Sequence, residues 1–224
     1  MIKKIAHFAD IHVPKALDRH NEYKKVLDKL YPILEEQKPD RIVIVGDTYD
    51  AYIDLEGEAL ILIGEILNRF SRIAPVIITR GNHEIRKKNR SRIDTVQTVT
   101  DLLQNPKVTY YNKSGFYQDD NVVWVVWDHV EHRYNSINPW KNIPHIRDKN
   151  LTYIDIYHDP IEGCVYHTGY NPGNRQFPSP SDFKGNFGFL GDIHLRQYFN
   201  FKEVEIEIDE EDLEKYLKEG WKIV

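Results

Sequence analysis

Apolar positions in this chain recur with two periods, and the switches between them mark the elements. Residues 2–8 alternate apolar and polar, which predicts a strand, and Pro14 stops regular structure after the polar turn Asp10-Ile11-His12. From Asn21, the positions Tyr23, Val26, Leu27, Leu30, Tyr31 and Leu34 return every three or four residues, the signature of an amphipathic helix. Ile42-Val43-Ile44-Val45 is a continuous β-branched run ending at Gly46-Asp47, as expected of a strand buried on both faces. A second helical stripe (Leu55, Ala59, Leu60, Ile63, Ile66, Leu67, Phe70) leads to Val76-Ile77-Ile78-Thr79 and a polar turn, Gly81-Asn82-His83-Glu84. This βαβαβ alternation predicts a parallel sheet with right-handed crossovers.

A third helix is expected near residues 93–103, after which the pattern changes. Runs at 108–111, 115–118, 122–127, 151–157 and 187–190 predict the strands of another sheet. The connections 129–150 and 159–182 read as long structureless loops, a length usually reserved for function or mobility. In the tail, residues 203–208 alternate as a strand, 209–219 read as a short helix opened by acids, and 221–224 as a last strand. Its apolar positions Val204, Ile206, Ile208, Leu213, Leu217, Trp221 and Val224 predict a cover for the edge of the second sheet, away from the chemistry.

Composition narrows the class. The 224 residues are 41% hydrophobic and 29% charged, with a mean hydropathy of -0.58, values typical of a soluble globule. No apolar run approaches the roughly 20 residues of a membrane span, and the first residues lack a secretory apolar core. A single cysteine, Cys164, allows no internal disulfide, so a cytoplasmic location is expected. The net charge of -5 is unevenly spread: residues 203–224 carry nine acids and three bases, the remainder 27 bases and 26 acids. A near-neutral body excludes nucleic-acid binding by bulk charge, though Arg80, Arg86, Lys87, Lys88, Arg90 and Arg92 form a local basic stripe.

Metal-type ligands gather where strands are predicted to end: Asp10 and His12, Asp47, Asn82 and His83, His158, Asp192 and His194. In an open α/β sheet the carboxyl ends of parallel strands converge on one crevice, so distant residues can meet there. Carboxylate, imidazole and amide oxygen together suit manganese, iron, zinc or magnesium, and the lack of clustered cysteines argues against structural zinc. Two ions about 3.5–4 Å apart would need a bridging carboxylate, for which Asp47 on the tight Gly46 turn is the candidate. His7, His20, His129, His132, His145 and His167 read as structural or surface residues.

Taken in order, Asp10-Ile11-His12, Gly46-Asp47-Thr48-Tyr49-Asp50, Gly81-Asn82-His83-Glu84, the lone His158 and Gly191-Asp192-Ile193-His194 resemble the calcineurin-like metallophosphoesterase superfamily, and within it the SbcD-type DNA-repair nucleases, phage versions included. The resemblance implies an α/β fold, a four-layer α/β/β/α sandwich with a dimetal site at the strand C-terminal ends. Residues 1–202 would form that domain and 203–224 a tail packed on it, while the cap domain and ATPase-docking segment of longer SbcD-type chains are not evident. It implies that Asp10, His12, Asp47 and His194 hold one ion, that Asp47, Asn82, His158 and Asp192 hold the other, and that His83 faces the scissile phosphate as the catalytic imidazole. Arg80, Arg86, Lys87 and Lys88 would hold a DNA backbone without reading its sequence. Two divalent ions, manganese first, are the implied cofactors, with DNA and an SbcC-type ABC ATPase as implied partners; a homodimer is compatible with the family. One departure stands out: the family's G-H-x-H is Gly191-Asp192-Ile193-His194 here, so a third carboxylate joins the ligand set, which favours hard ions such as manganese or magnesium over zinc.

Three functional readings follow. The first is a manganese-dependent DNA nuclease. The second is a phosphoesterase acting on nucleotides or other small esters, since the metals do the chemistry and the loops choose the substrate. Arg133, Tyr134, Trp140, Tyr170 and Arg175 in the two long loops would decide between these by stacking on bases or clamping phosphate. The third is a non-catalytic scaffold that keeps the fold.

Overall fold

A computed structural model describes residues 1–50, 56–86, 88–166, 168–171, 177–194, 198–199 and 205–206. The chain divides into two compact units, residues 1–112 and 113–224.

The first unit alternates strand and helix. The strands are β1 (Ile5–Ala9), β2 (Arg41–Val45), β3 (Val76–Thr79) and β4 (Val108–Tyr111), with α1 (His20–Gln37), α2 (Gly57–Ile73) and α3 (Thr95–Leu103) as the crossovers. All four strands pair in parallel in the order β1-β2-β3-β4. Placing 108–111 in the second sheet is therefore corrected, because a short apolar run encodes a strand without encoding its partner. The core lies between the sheet and its helices: Ile42, Ile44, Val76 and Ile78 pack with Leu27, Tyr31 and Leu34 of α1, Ile63, Ile66 and Phe70 of α2, and Val96 and Val99 of α3. Val43, Val45 and Ile77, on the other face of the strands, are also buried, as the unbroken β-branched run requires.

Two details differ from the periodicity. Val26 is 66% exposed, so the buried stripe of α1 is narrower than expected. Helix α3 starts at Thr95 and leaves Ile93 exposed, because the Asp94 carboxylate accepts the Gln97 amide at 2.8 Å and caps the first turn.

The second unit holds β5 (Gly115–Asp119), β6 (Val122–Trp127), β7 (Thr152–His158) and β8 (Phe187–Gly191) in the order β5-β6-β7-β8. The β5–β6 hairpin is antiparallel, whereas β6, β7 and β8 run parallel. Trp127, Tyr153, Tyr157, Cys164, Phe183 and Ile193 form its buried cluster, with Trp127 and Phe183 rings 4.6 Å apart. The expected structureless loop 129–150 is corrected: it contains α4 (His129–Asn135) and α5 (Pro139–Asn142). Both are too short to show a helical period, and their signals are caps, Asp128 accepting from the Glu131 amide and Asn138 from the Trp140 amide.

Beyond β8, a two-residue pairing joins β9 (Tyr198–Phe199) to β10 (Glu205–Ile206), and β10 falls inside the strand expected at 203–208. The helix and last strand expected at 209–224 lie outside the described residues. Among those residues no helix is long and apolar enough to cross a membrane.

Candidate metal centre

Parallel strands deliver their C-terminal turns to one sheet edge, and in the first unit that edge carries Asp10, His12, Asp47, Asn82 and His83. The turns after β1 and β2 are joined through their backbones: the amides of Asp10, His12 and Val13 donate to the carbonyls of Gly46, Asp47 and Thr48, at 3.2, 2.9 and 2.8 Å. Asp10, His12 and Asp47 all adopt left-handed backbone, with φ of 53°, 49° and 47°. Such a conformation costs a non-glycine residue about 1–2 kcal/mol and persists where the surroundings over-determine it. The remaining non-glycine residues of positive φ among those described are the helix C-caps Lys38, Gln104 and Ser136, the hairpin residue Asp120, and Asp192 and His194. Strained backbone outside ordinary caps and turns thus coincides with the ligands expected from sequence.

Side chains complete the arrangement. His12 Nε2 lies 3.7 Å from Asp10 Oδ1 and 3.8 Å from Asp47 Oδ2, and His12 Nδ1 lies 3.3 Å from Asp50 Oδ1. Burial works against a charged His12, but the Asp10, Asp47 and Asp50 carboxylates outweigh it and hold the imidazole above its ordinary pKa. The ligand atoms of His12, Asp50 and His83 lie within 4.8 Å of one another, a spacing one cation can span. A clustered imidazole and carboxylate donor set of this kind fits a divalent ion.

His83 is held from three directions. Its amide donates to Asp47 Oδ1 at 2.9 Å, its ring lies edge-on to His12 with centroids 4.8 Å apart, and its Nδ1 sits 2.9 Å from the Asp50 carbonyl. A carbonyl only accepts, so Nδ1 carries the proton and Nε2, 3.8 Å from Asp47 Oδ2, is the nitrogen presented for proton transfer.

Two residues of this edge had no role in the sequence reading. Asp50 is one, although it closes the Gly46-to-Asp50 motif. Glu84 is the other: it is 2% exposed, and its carboxylate accepts the amides of Gly81 at 2.7 Å, Asp47 at 3.1 Å, Thr48 at 2.5 Å and Tyr49 at 3.1 Å. One side chain thereby fastens the turn bearing Asn82 and His83 to the turn bearing Asp47. The sequence signal was an acid next to a candidate catalytic histidine in the polar turn that follows a buried strand.

In the second unit, His158 ends β7 and is 1% exposed, in register with Gly191 at the end of β8, immediately before Asp192. Asp192 and His194 take φ of 73° and 59°. The Tyr166 hydroxyl donates to Asp192 Oδ2 at 3.4 Å, and burial, with Asp192 next in effect, raises the phenol's pKa so that it stays a donor. Behind His158, buried His129 points Nδ1 at Asp159 Oδ2, 2.8 Å away, and lies 3.2 Å from the His158 carbonyl.

The basic stripe divides. Arg80 is buried, 3.1 Å from Asp94 Oδ2 and 3.3 Å from the Asn112 carbonyl, whereas Arg86, Lys88, Arg90 and Arg92 are exposed. Lys87 lies outside the described residues, as do His167 and Arg175.

Over 209 residues, 89% of the chain, it is 33% identical to the uncharacterized protein R555 of Acanthamoeba polyphaga mimivirus, of which it covers 15%. Over 90 residues, 38% of the chain, it is 33% identical to the SbcD component of the nuclease SbcCD of Staphylococcus epidermidis, covering 24% of that protein. The chain thus spans less than a quarter of the length of each of these relatives. A crystal structure of the Pseudomonas putida nuclease MPE aligns with 74% of the chain and 66% of its own, at 15% identity and a TM-score of 0.38. Residues 3–208 match the calcineurin-like phosphoesterase family, and the chain belongs to that family with its α/β fold.

Proposed function

We propose that this chain hydrolyses phosphodiester bonds in DNA at a centre of two divalent ions, as an SbcD-type nuclease. Asp10, His12, Asp47 and His194 hold one ion and Asp47, Asn82, His158 and Asp192 the other, with Asp47 shared. Manganese is the preferred ion, because Asp10, Asp47 and Asp192 make the donor set oxygen-rich. Two ions at such a centre supply Lewis-acid charge and lower the pKa of water. His83, as the imidazolium with its Nδ1–H on the Asp50 carbonyl, gives its Nε2 proton to the leaving oxygen and is left as the neutral Nδ1–H tautomer. The observation that carries this reading is the tether of His83 Nδ1 to the Asp50 carbonyl, which leaves Nε2 as the nitrogen that gives and regains the proton. A non-catalytic scaffold would have no use for that tether.

Arg86, Lys87 and Lys88 hold the strand backbone beside His83. Arg80 is left out of this set, since its guanidinium serves Asp94. An SbcC-type ATPase is the partner implied by the SbcD resemblance. The test is hydrolysis by the purified, manganese-loaded chain of single- and double-stranded DNA and of bis-(p-nitrophenyl) phosphate. Cleavage of all three or of the DNAs supports the nuclease, cleavage of the small ester alone supports a small-substrate phosphoesterase, and no cleavage overturns both.

A further inference from the structure

The second unit contains a polar cleft outside the donor set. It has a volume of about 650 Å³, and α4, α5 and residues 177–182 wall it. That volume is several times what a single phosphate needs and falls in the range of sites for whole nucleotides. Arg133, Lys141, Asn142 and Ser136 line it, with Phe177 as its aromatic wall.

Its charge is unequally committed. Lys141 Nζ lies 2.5 Å from Asp182 Oδ1, and Asp182 also accepts the Ser179 amide at 3.0 Å. Arg133 has no acidic partner among the described residues; its guanidinium sits over the Phe177 ring, 5.1 Å from the centroid. His132, turned inward against Trp127 and Tyr157, is held below its ordinary pKa by burial and adds no positive charge near neutrality. The cleft therefore offers one unpaired guanidinium stacked on an aromatic face, with hydroxyl and amide groups around it. A stacked guanidinium keeps its N–H edge free for phosphate oxygens, which is how arginine serves nucleic-acid backbones.

Position matters as much as chemistry. Only Asp128 separates β6 from helix α4, and β6, β7 and β8 run parallel, so this wall of the cleft starts at the sheet edge where His158 and Asp192 stand. Arg133 and Asp192 both act electrostatically on the Tyr157 phenol, with opposite sign.

We infer that this cleft is a strand-binding subsite that takes a nucleotide of single-stranded polynucleotide, its phosphate on Arg133. The inference rests on the phosphodiesterase reading above and names the substrate class as a polymer. A substrate with no second phosphate would leave the cleft unfilled.

The experiment is fluorescence anisotropy of the full chain with a labelled single-stranded oligonucleotide, over a range of salt. Arg133→Ala should weaken affinity about tenfold, the scale of a charge-assisted hydrogen bond, and lower the slope of log affinity against log salt by about one. Asp182→Asn, which frees Lys141, should strengthen binding. That increase is what a purely structural role for the cleft would not produce. Lys149→Gln, an exposed charge outside the cleft, controls for general loss of charge. An unchanged affinity and slope for Arg133→Ala, in a variant with native circular dichroism, overturns the subsite. Equal losses in Arg133→Ala and Lys149→Gln overturn it as well. Failure of the unmodified, manganese-loaded chain to cleave any phosphodiester is a separate result that removes the hydrolase reading, and the binding arm still decides the cleft.

Discussion

Each unit buries a carboxylate among N–H donors, and the two are put to different uses. Glu84 in the first unit accepts four backbone amides, all from the turns that carry Asp47 and His83. Asp155 in the second accepts the indole N–H groups of Trp127 at 2.8 Å and Trp140 at 2.7 Å and the Gly185 amide at 2.7 Å. The first fastens backbone that presents the candidate ligands; the second fastens aromatic side chains to the middle of a core strand. Gly185 belongs to the same arrangement, because a Cβ there would stand 2.5 Å from Asp155 Oδ2 and under 3 Å from two backbone oxygens. Similar chemistry thus serves site geometry in one unit and packing in the other, and substitutions should separate the two.

The largest effect is expected at the residues these turns present. His83→Ala should lower turnover by about 10²–10⁴-fold while leaving manganese content nearly intact, the usual range for a lost proton-transfer group. Asp47→Ala should instead remove more than one ion equivalent, read by elemental analysis of the loaded protein. Equal loss of metal and activity in both variants would make His83 a ligand.

Next comes Asp155. Burial, outweighing its three N–H donors, raises its pKa to about 6. A carboxyl raised in the folded state favours folding most below its ordinary pKa near 4, and the benefit disappears as pH climbs through about 6. The contribution is on the order of 3 kcal/mol. Urea unfolding of the chain and of Asp155→Asn should therefore give a stability difference that shifts against the native residue between pH 4 and 6 and is flat above. A difference constant with pH would mean that the carboxyl is ionised throughout.

Glu84→Gln tests the other carboxylate. The amide keeps the shape and turns one acceptor into a donor facing N–H groups, so the Asp47 turn should loosen. Manganese affinity is expected to fall about 10–100-fold, the range for residues that orient ligands, in calorimetric titrations well below the melting temperature. A lower melting temperature with unchanged affinity would put Glu84 in the same class as Asp155.

These expectations show what the sequence made legible. Strand runs such as Val122–Trp127 and the candidate ligands at strand ends were readable, because apolar β-prone runs and strand-end acids and histidines are local signals. Strand partnership was not, which is why residues 108–111 were expected in the wrong sheet. Helices of seven and four residues could not announce themselves by period. Glu84 and Asp50 were visible as letters in motifs, yet their roles depend on turns 30 to 40 residues apart being brought together by parallel strands.

The smallest effect is expected at Tyr166, and it bears most directly on the contrast between units. Asp47 is fixed through its amide, its carbonyl and its carboxylate, all bonded to neighbouring turns. Asp192 takes a comparable left-handed backbone, and one of its contacts is the Tyr166 hydroxyl at a long 3.4 Å. At that length even a bond to a carboxylate is weak and falls at the low end of about 0.5–1.5 kcal/mol, about a twofold change in an equilibrium. Tyr166→Phe should accordingly lower manganese affinity only about twofold, less than Glu84→Gln by a clear margin in the same titration. A loss of tenfold or more would show that Tyr166 fixes Asp192 as firmly as Glu84 fixes Asp47, and the second unit's donor edge would then be as rigidly built as the first.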